Sequence, residues 1–461
     1  MPTRMGPGAA VTVSPLWGAP TRRRPPLPGD HDADVVIVGA GYTGLWTAHY
    51  LLDADPSLRV VLVEKEYAGF GASGRNGGWC SAIFPVSLDH VAKATSRDAA
   101  VRLQREMNAT VGEIARVTRQ EGIDCDLAQH GFVSLARNAA QLARVGAGRD
   151  AASRFGLDDQ WRVLSRGDAA KLVDADGVLG GAFTEHCALV HPGKLVRGLA
   201  ELVERQGAVI HEATPVGRIG RGFVTTPYGR VNAPVIVRAT EGFTPTLPGR
   251  RRNLVPLYSL VLATEPLGGT LRAELGLRRR VAFNDLRNLR IYAQLTADGR
   301  LVFGGRGAPY HFGSAVSESF STHSRIHAGI RETMLSFFPA LANAKITHRW
   351  GGPLGVPRDW HPSVGFDRAN GHAWAGSYVG DGVATSNLAA RILRNLILRR
   401  DEPINDLPIV DHHSPRWEPE PLRWLGVNAG LLAARLGDVE ERLTRHPSHI
   451  SRLLERLTGA H

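Results

Sequence analysis

The chain has 461 residues, with 55 Lys and Arg against 44 Asp and Glu, a formal net charge of +11. A hydrophobic fraction of 43% and a charged fraction of 21% exclude a mainly disordered or fibrous chain, and at roughly 150 residues per domain the length allows one large or two to three intermeshed domains. Three cysteines without a CxxC pair (Cys80, Cys125, Cys187) exclude a disulfide framework and a cysteine zinc site, and they fit a reducing compartment.

Residues 1–31 are rich in Pro, Gly and Arg, lack the apolar core of a signal peptide, and read as an N-terminal arm. No apolar stretch reaches the roughly 20 residues of a membrane span, so a cytoplasmic protein with no membrane partner is expected. Only Lys65, Lys93, Lys171, Lys194 and Lys345 are lysines; the other 50 basic residues are arginines, dispersed apart from short runs such as Arg22-Arg23-Arg24. A nucleic-acid surface would gather them on one face with aromatics between. A solvated basic surface, and no nucleic acid, is expected instead.

From Asp34 the pattern is strand, glycine turn, helix, strand: Val35–Val38, a helix over 43–52, and a second strand over 59–63. The uninterrupted apolar strands suit a parallel sheet covered on both faces. Spacing of Val101, Leu103, Met107, Val111, Ile114 and Val117 predicts a long amphipathic helix over 97–121. Short strands are predicted at 132–135 and 189–191, then a helix over 195–207 closed by Gly207. A β-rich stretch runs over 209–240 and resumes from Tyr258, with a hairpin at Ala297-Asp298-Gly299-Arg300. A helix over 320–337, a final strand–helix pair and two helical segments in the tail complete the reading. His323 and His327 share a helix face, but with no third ligand nearby they read as an exposed face, and no metal site is expected.

Chemistry enters at Gly39-Ala40-Gly41-Tyr42-Thr43-Gly44. Gly39 permits the tight turn, Gly41 lets backbone approach a pyrophosphate, and Gly44 allows close helix–strand packing. The helix N-terminus beside Tyr42 and Thr43 offers free N–H groups to phosphates. Glu64, 20 residues past Gly44 and followed by Lys65, stands where an acid binds ribose hydroxyls, which favours FAD or NAD over NADP. A second small-residue loop, Gly71-Ala72-Ser73-Gly74-Arg75-Asn76-Gly77-Gly78, separates FAD from NAD: its glycines admit a flat ring, while Ser73, Arg75 and Asn76 supply polar partners.

With this loop the chain resembles the D-amino-acid-oxidase-like family of FAD-dependent oxidoreductases, of the sarcosine oxidase, glycine oxidase and gamma-glutamylputrescine oxidase type. Further segments follow in the family's order over about 32–400: Ala188-Leu189-Val190-His191-Pro192, Glu212 to Val216, Arg238 to Thr244 with Thr240, and Ser377 to Ala384 with Gly380, Asp381, Gly382 and Val383. The resemblance implies an α/β protein: a Rossmann-like FAD-binding domain (32–95, 185–245, 345–400) intermeshed with an α+β substrate domain (96–184, 246–344) that carries a mixed, largely antiparallel sheet. A helical tail over 401–461 is expected to pack on the FAD domain or to form a homo-oligomer contact.

The resemblance also implies FAD-dependent oxidation of an amine or amino acid, with reoxidation by oxygen or another acceptor. Some relatives attach FAD through a histidine after the second glycine loop or a cysteine near the C-terminus. Here Trp79-Cys80-Ser81 follows the loop and the C-terminal third lacks cysteine, so non-covalent FAD is expected and Cys80 reads as a buried thiol. A lysine that helps oxygen react in sarcosine-oxidase-like members has no counterpart between Val281 and Gln294, which leaves a dehydrogenase open. Arg290 and Tyr292 are the candidates to hold a substrate carboxylate, because Arg offers a bidentate fork.

Overall fold

The computed structural model describes residues 11–444 and 446–451. Val35–Val38 lies inside a six-stranded sheet ordered Ser363–Asp367, His372–Gly376, Val235–Arg238, Val35–Val38, Val60–Val63, Val209–His211. Its strands run parallel apart from the pair Ser363–Asp367 and His372–Gly376. Every side chain of Val35–Val38 and Val60–Val63 is buried, as a sheet covered on both faces requires. The helix Tyr42–Ala54 is buried from Tyr42 to Leu52 because it runs between the helices Pro192–Arg205 and Gly382–Leu398.

A second sheet has eight strands: Ile346–Val356, Val255–Pro266, Arg300–Gly305, Ile291–Leu295, Ala282–Asp285, Phe132–Ala136, Gly180–Thr184 and Arg162–Leu164, in that order. Only Ala282–Asp285 and Phe132–Ala136 pair in parallel. Alternation along the strands sorts side chains to two faces. Ile291, Leu301 and Phe303 join Ile330, Met334 and Phe337 of the helix Ser324–Phe337 in one core. Tyr292, Val302 and Trp350 turn the other way and gather around Trp17.

Several expectations shift, each for a local reason. Ile346–Val356, assigned above to the FAD-binding piece 345–400, is hydrogen-bonded along Val255–Pro266 and so belongs to the eight-stranded sheet. The strand expected at 189–191 ends at Leu189, because His191 instead caps the next helix: its Nδ1 accepts from the Lys194 N–H at 3.1 Å, and Pro192 takes the first helical position. His327 is not on an exposed face. It is buried, with Nε2 3.1 Å from the Val261 carbonyl and Nδ1 3.2 Å from that of His323. Among the described residues no cluster of three His, Cys, Asp or Glu could hold a metal ion, and no helix is long and apolar enough to cross a membrane.

The two chain ends also find definite places. Within the arm, Trp17 and Leu27 are buried, and Arg24 pairs with Glu204 and the buried Glu212. Of the tail, Ile404, Leu407 and Ile409 pack into the core of the FAD half, whereas the helix Leu422–Thr444 is seated elsewhere. It binds loops of the eight-stranded sheet through Asp438 to the amides of Asn288 and Leu289, and through Arg435 to the Gly307 carbonyl. The expected last helix lies largely outside the described residues.

The loop before Ser363–Asp367 gives a pH prediction. His361 is buried against the His412 ring at 4.1 Å, and burial pushes its pKa down to about 4. A histidine kept neutral in the fold contributes stability above its unfolded value near 6.5, and this is lost as pH falls towards 4. Burial lowers His49, His191 and His327 as well, with the same sign. Denaturant unfolding should show the protein losing stability between pH 7 and 4.5, with His361→Gln removing about 2–3 kcal/mol of that loss.

Candidate active site

A cleft of about 1300 Å³, counting its open mouth, runs along the C-terminal ends of the parallel strands. At its base Gly39 has φ +108°, and a Cβ there would fall 2.5 Å from the Ala239 carbonyl oxygen. Gly44 presses its helix onto the same turn, where a Cβ would lie 2.0 Å from the Gly39 oxygen. Ser73 of the second glycine loop reaches in and accepts from the Tyr42 N–H at 2.8 Å. Gly39, Gly41, Tyr42 and Thr43 line the cleft; Gly44 stands behind it.

At one end Glu64 is half-buried, its carboxylate accepting from the amides of Ala40 at 2.9 Å and Glu66 at 3.0 Å. Desolvation holds its pKa above the usual carboxylate range. Lys65 and Val216 stand beside it, and Ala72, Ser73, Asn76, Thr240, Gly380, Gly382 and Val383 continue the lining. Besides Gly44, four expected cofactor contacts lie off the cleft wall. Arg75 turns towards the substrate sheet, donating to the carbonyls of Phe70 and Gly351 and pairing with Glu318. Gly77 and Gly78 face the rings and amides of that sheet, with Tyr292 2.5 Å and Gln294 Nε2 2.1 Å from where their Cβ atoms would be. Asp381 points towards Arg306, whose charge opposes the effect of burial on it.

The other end holds a compact polar group. Ser377, Val379 and Gly380 all have positive φ, and the turn they form is tied down by Glu241, which accepts from the amides of Ser377 at 2.7 Å and Tyr378 at 3.2 Å. Desolvation pushes Glu241 up to about 7. Arg306, at the end of the strand Arg300–Gly305, donates to the Val379 carbonyl at 2.7 Å and lies 5.4 Å from the Trp360 ring. Trp360 itself has φ +62°, a strained value for a bulky residue. Burial raises Asp381 to about 6, against the pull of Arg306 and Arg290. Tyr292 hydrogen-bonds Ser259 at 2.9 Å, and Arg290 sits one residue before its strand begins, its carbonyl accepting from the Arg306 amide at 3.0 Å.

Tyr292 and Arg290 lie near this group without lining the cleft, and the same holds for Arg306 and Trp360, which with Glu241 were not foreseen. Arg306 follows the strand Arg300–Gly305 outside any motif, and Trp360 sits in a loop with no motif spacing. Cys80, Cys125 and Cys187 are all buried and unpaired, and burial pushes the Cys80 thiol up to about 12, as far from reactive as a packed apolar residue.

An elongated cleft with a side-chain-free turn at a helix N-terminus, a carboxylate at one end and tight amides at the other suits FAD. Comparison with known proteins agrees. The chain belongs to the FAD dependent oxidoreductase (DAO) family, whose model matches residues 34–396. It is 31% identical over 389 residues to the probable oxidoreductase OrdL of Haemophilus influenzae, covering 82% of this chain and 86% of that one. With the gamma-glutamylputrescine oxidoreductase of Escherichia coli it shares 29% identity, over 88% and 93% of the two chains. The fold of glycine oxidase from Bacillus cereus superposes with a TM-score of 0.67 at 22% identity, covering 82% of this chain and 98% of that one. The protein is an FAD-dependent oxidoreductase.

Two variants test the cleft. Gly44→Ala places a methyl group where the Gly39 carbonyl already is, and should yield protein with little flavin and lowered stability. Glu64→Ala should fold yet bind FAD roughly ten- to a hundredfold more weakly, since charged hydrogen bonds contribute about 1.5–3 kcal/mol each. Flavin titration of the apoprotein measures both.

Proposed function

We propose that the protein oxidises a C–N bond of a small amine or amino acid that carries a carboxylate. The observation that carries this reading is Arg306, a half-buried cation beside Gly380 and just behind the cleft lining, with Trp360 and Tyr292 close to it. FAD, when bound, supplies a two-electron acceptor that takes hydride at N5. Glu64 and Lys65 would hold its ribose end, the Gly39–Gly44 turn its pyrophosphate, and the Gly380–Val383 amides its ring edge.

The chain's own part is orientation and charge. Arg306 would fix the substrate carboxylate through its forked donors, with Arg290 as a second cation nearby. Tyr292 and Trp360 would exclude water and confine the reacting carbon. Removal of hydride from a neutral amine leaves a C=N iminium cation; loss of one proton from its nitrogen to water gives the imine, and hydrolysis then completes the cleavage. Asp381 sets how much of the Arg306 charge the substrate feels. All five lysines lie away from Tyr292 and Arg306 along the chain, and none falls within a strand of the eight-stranded sheet, which favours slow reaction with oxygen and turnover with another acceptor. A cytoplasmic setting accords with three reduced, buried cysteines.

Anaerobic mixing with a panel of amines and amino acids should bleach the flavin with a carboxylate-bearing amine. Bleaching only by hydroxy acids or NADH would refute the reading. Arg306→Leu should stay yellow and need roughly ten- to a hundredfold more of that substrate for half-reduction. Because Asp381 ionises near pH 6 and then offsets Arg306, carboxylate binding should weaken about three- to tenfold as pH rises through 6. In Asp381→Asn that profile should flatten.

A further inference from the structure

The tail helix Leu422–Thr444 reverses the usual arrangement of an amphipathic helix. It turns polar side chains to the protein: Asn428 bonds both main-chain groups of Tyr310, Asp438 accepts from the amides of Asn288 and Leu289, and Glu441 pairs with Arg144. Most of its large apolar side chains face outward, with Val427 and Leu431 half-buried and the exposed Trp424 off the line of the rest. Leu422 is 61% exposed, Leu425 53%, Leu432 55%, Leu436 47%, Val439 39% and Leu443 76%.

These positions are not scattered. With the exposed Ala429 they step by three and four residues in strict alternation from 422 to 443, a single stripe roughly 30 Å long. A helix that packs on a broad surface shows a wider apolar face; strict alternation at a mean of 3.5 residues is the seam of one helix against another. A monomer rarely leaves so continuous an apolar patch bare.

We propose that this stripe is the contact between two copies of the chain, their tail helices side by side and parallel. Self-association is favoured because the flanks of the seam are complementary to themselves. In a parallel pair, a residue flanking one seam faces the residue five positions further on in its partner. Arg435 and Glu440 have that offset; although Arg435 also holds the Gly307 carbonyl and Glu440 accepts from Ser448, symmetry sets a cation near an anion on both sides, and no like charges meet. Gly426 and Ala433 keep the other flank small. A lipid surface would call for cations along the polar face, but that face is occupied by contacts within the subunit. The same helix grips the loops that lead into Arg290 and out of Arg306, so the contact would brace the wall of the candidate active site.

Light scattering of the FAD-containing protein at tens of micromolar should give twice the 49.8 kDa chain mass. The double variant Leu432→Glu, Leu436→Glu alters only exposed positions and should be monomeric, its dimer dissociation constant raised at least a hundredfold, with flavin content and circular dichroism unchanged. Leu425→Cys should cross-link to its own copy under mild oxidation; the three native cysteines are buried and give no background. A monomeric wild-type protein overturns the proposal, whether it stays free or binds vesicles of anionic phospholipid. So does a double variant that remains a dimer, or a Leu425→Cys dimer that fails to cross-link.

Discussion

Gly77 and Gly78 let the eight-stranded sheet lie directly on the loop that borders the cofactor cleft. A Cβ on either would meet Tyr292 or Gln294 within 2.5 Å. The same short loop receives the Trp17 indole on the Asn76 carbonyl at 2.8 Å and the Trp350 indole on the Arg75 carbonyl at 2.8 Å. Its far side sits on the cleft through Ser73. Absence of side chains here sets the distance between the two sheets, and with it the seat of the Tyr292 ring against the loop.

The electrostatic arrangement follows from that closeness. Glu64, Glu241 and Asp381 are all held above their ordinary pKa by desolvation, while Arg306 is lowered by the same cause. Charges kept out of water cost stability unless paired, and clusters of them mark functional sites more often than structural ones. Glu241 shows how one such group is used: its two oxygens secure the amides of a turn whose residues have positive φ, so that the strained backbone keeps its shape.

The arginine-rich composition has a structural meaning as well. Arg75 joins the cofactor loop to the substrate sheet, Arg24 ties the arm to Glu212, and Arg144 and Arg435 seat the tail helix. These residues face inward, where a planar fork satisfies several carbonyls or a carboxylate at once. The excess of arginine thus fastens segments distant in sequence and is only partly a solvated surface.

The sequence by itself determined the parallel unit from Val35 to Val63 and the cofactor class, because each depends on local requirements: buried apolar strands, a helix N-terminus, and glycine where a Cβ cannot fit. It also put Tyr292 in a strand, which runs over Ile291–Leu295, with Arg290 just before it. Tertiary structure decided the rest. Ile346–Val356 joined the substrate sheet because its hydrogen-bond partner, Val255–Pro266, lies ninety positions earlier in the chain. Arg75 turned from the cleft wall because the Gly351 carbonyl and Glu318 meet it on the other side, and Arg306 came beside Gly380 because Val379 and Trp360 come from distant loops. No periodicity or spacing encodes such meetings, since they arise only when separate sheets close on one another.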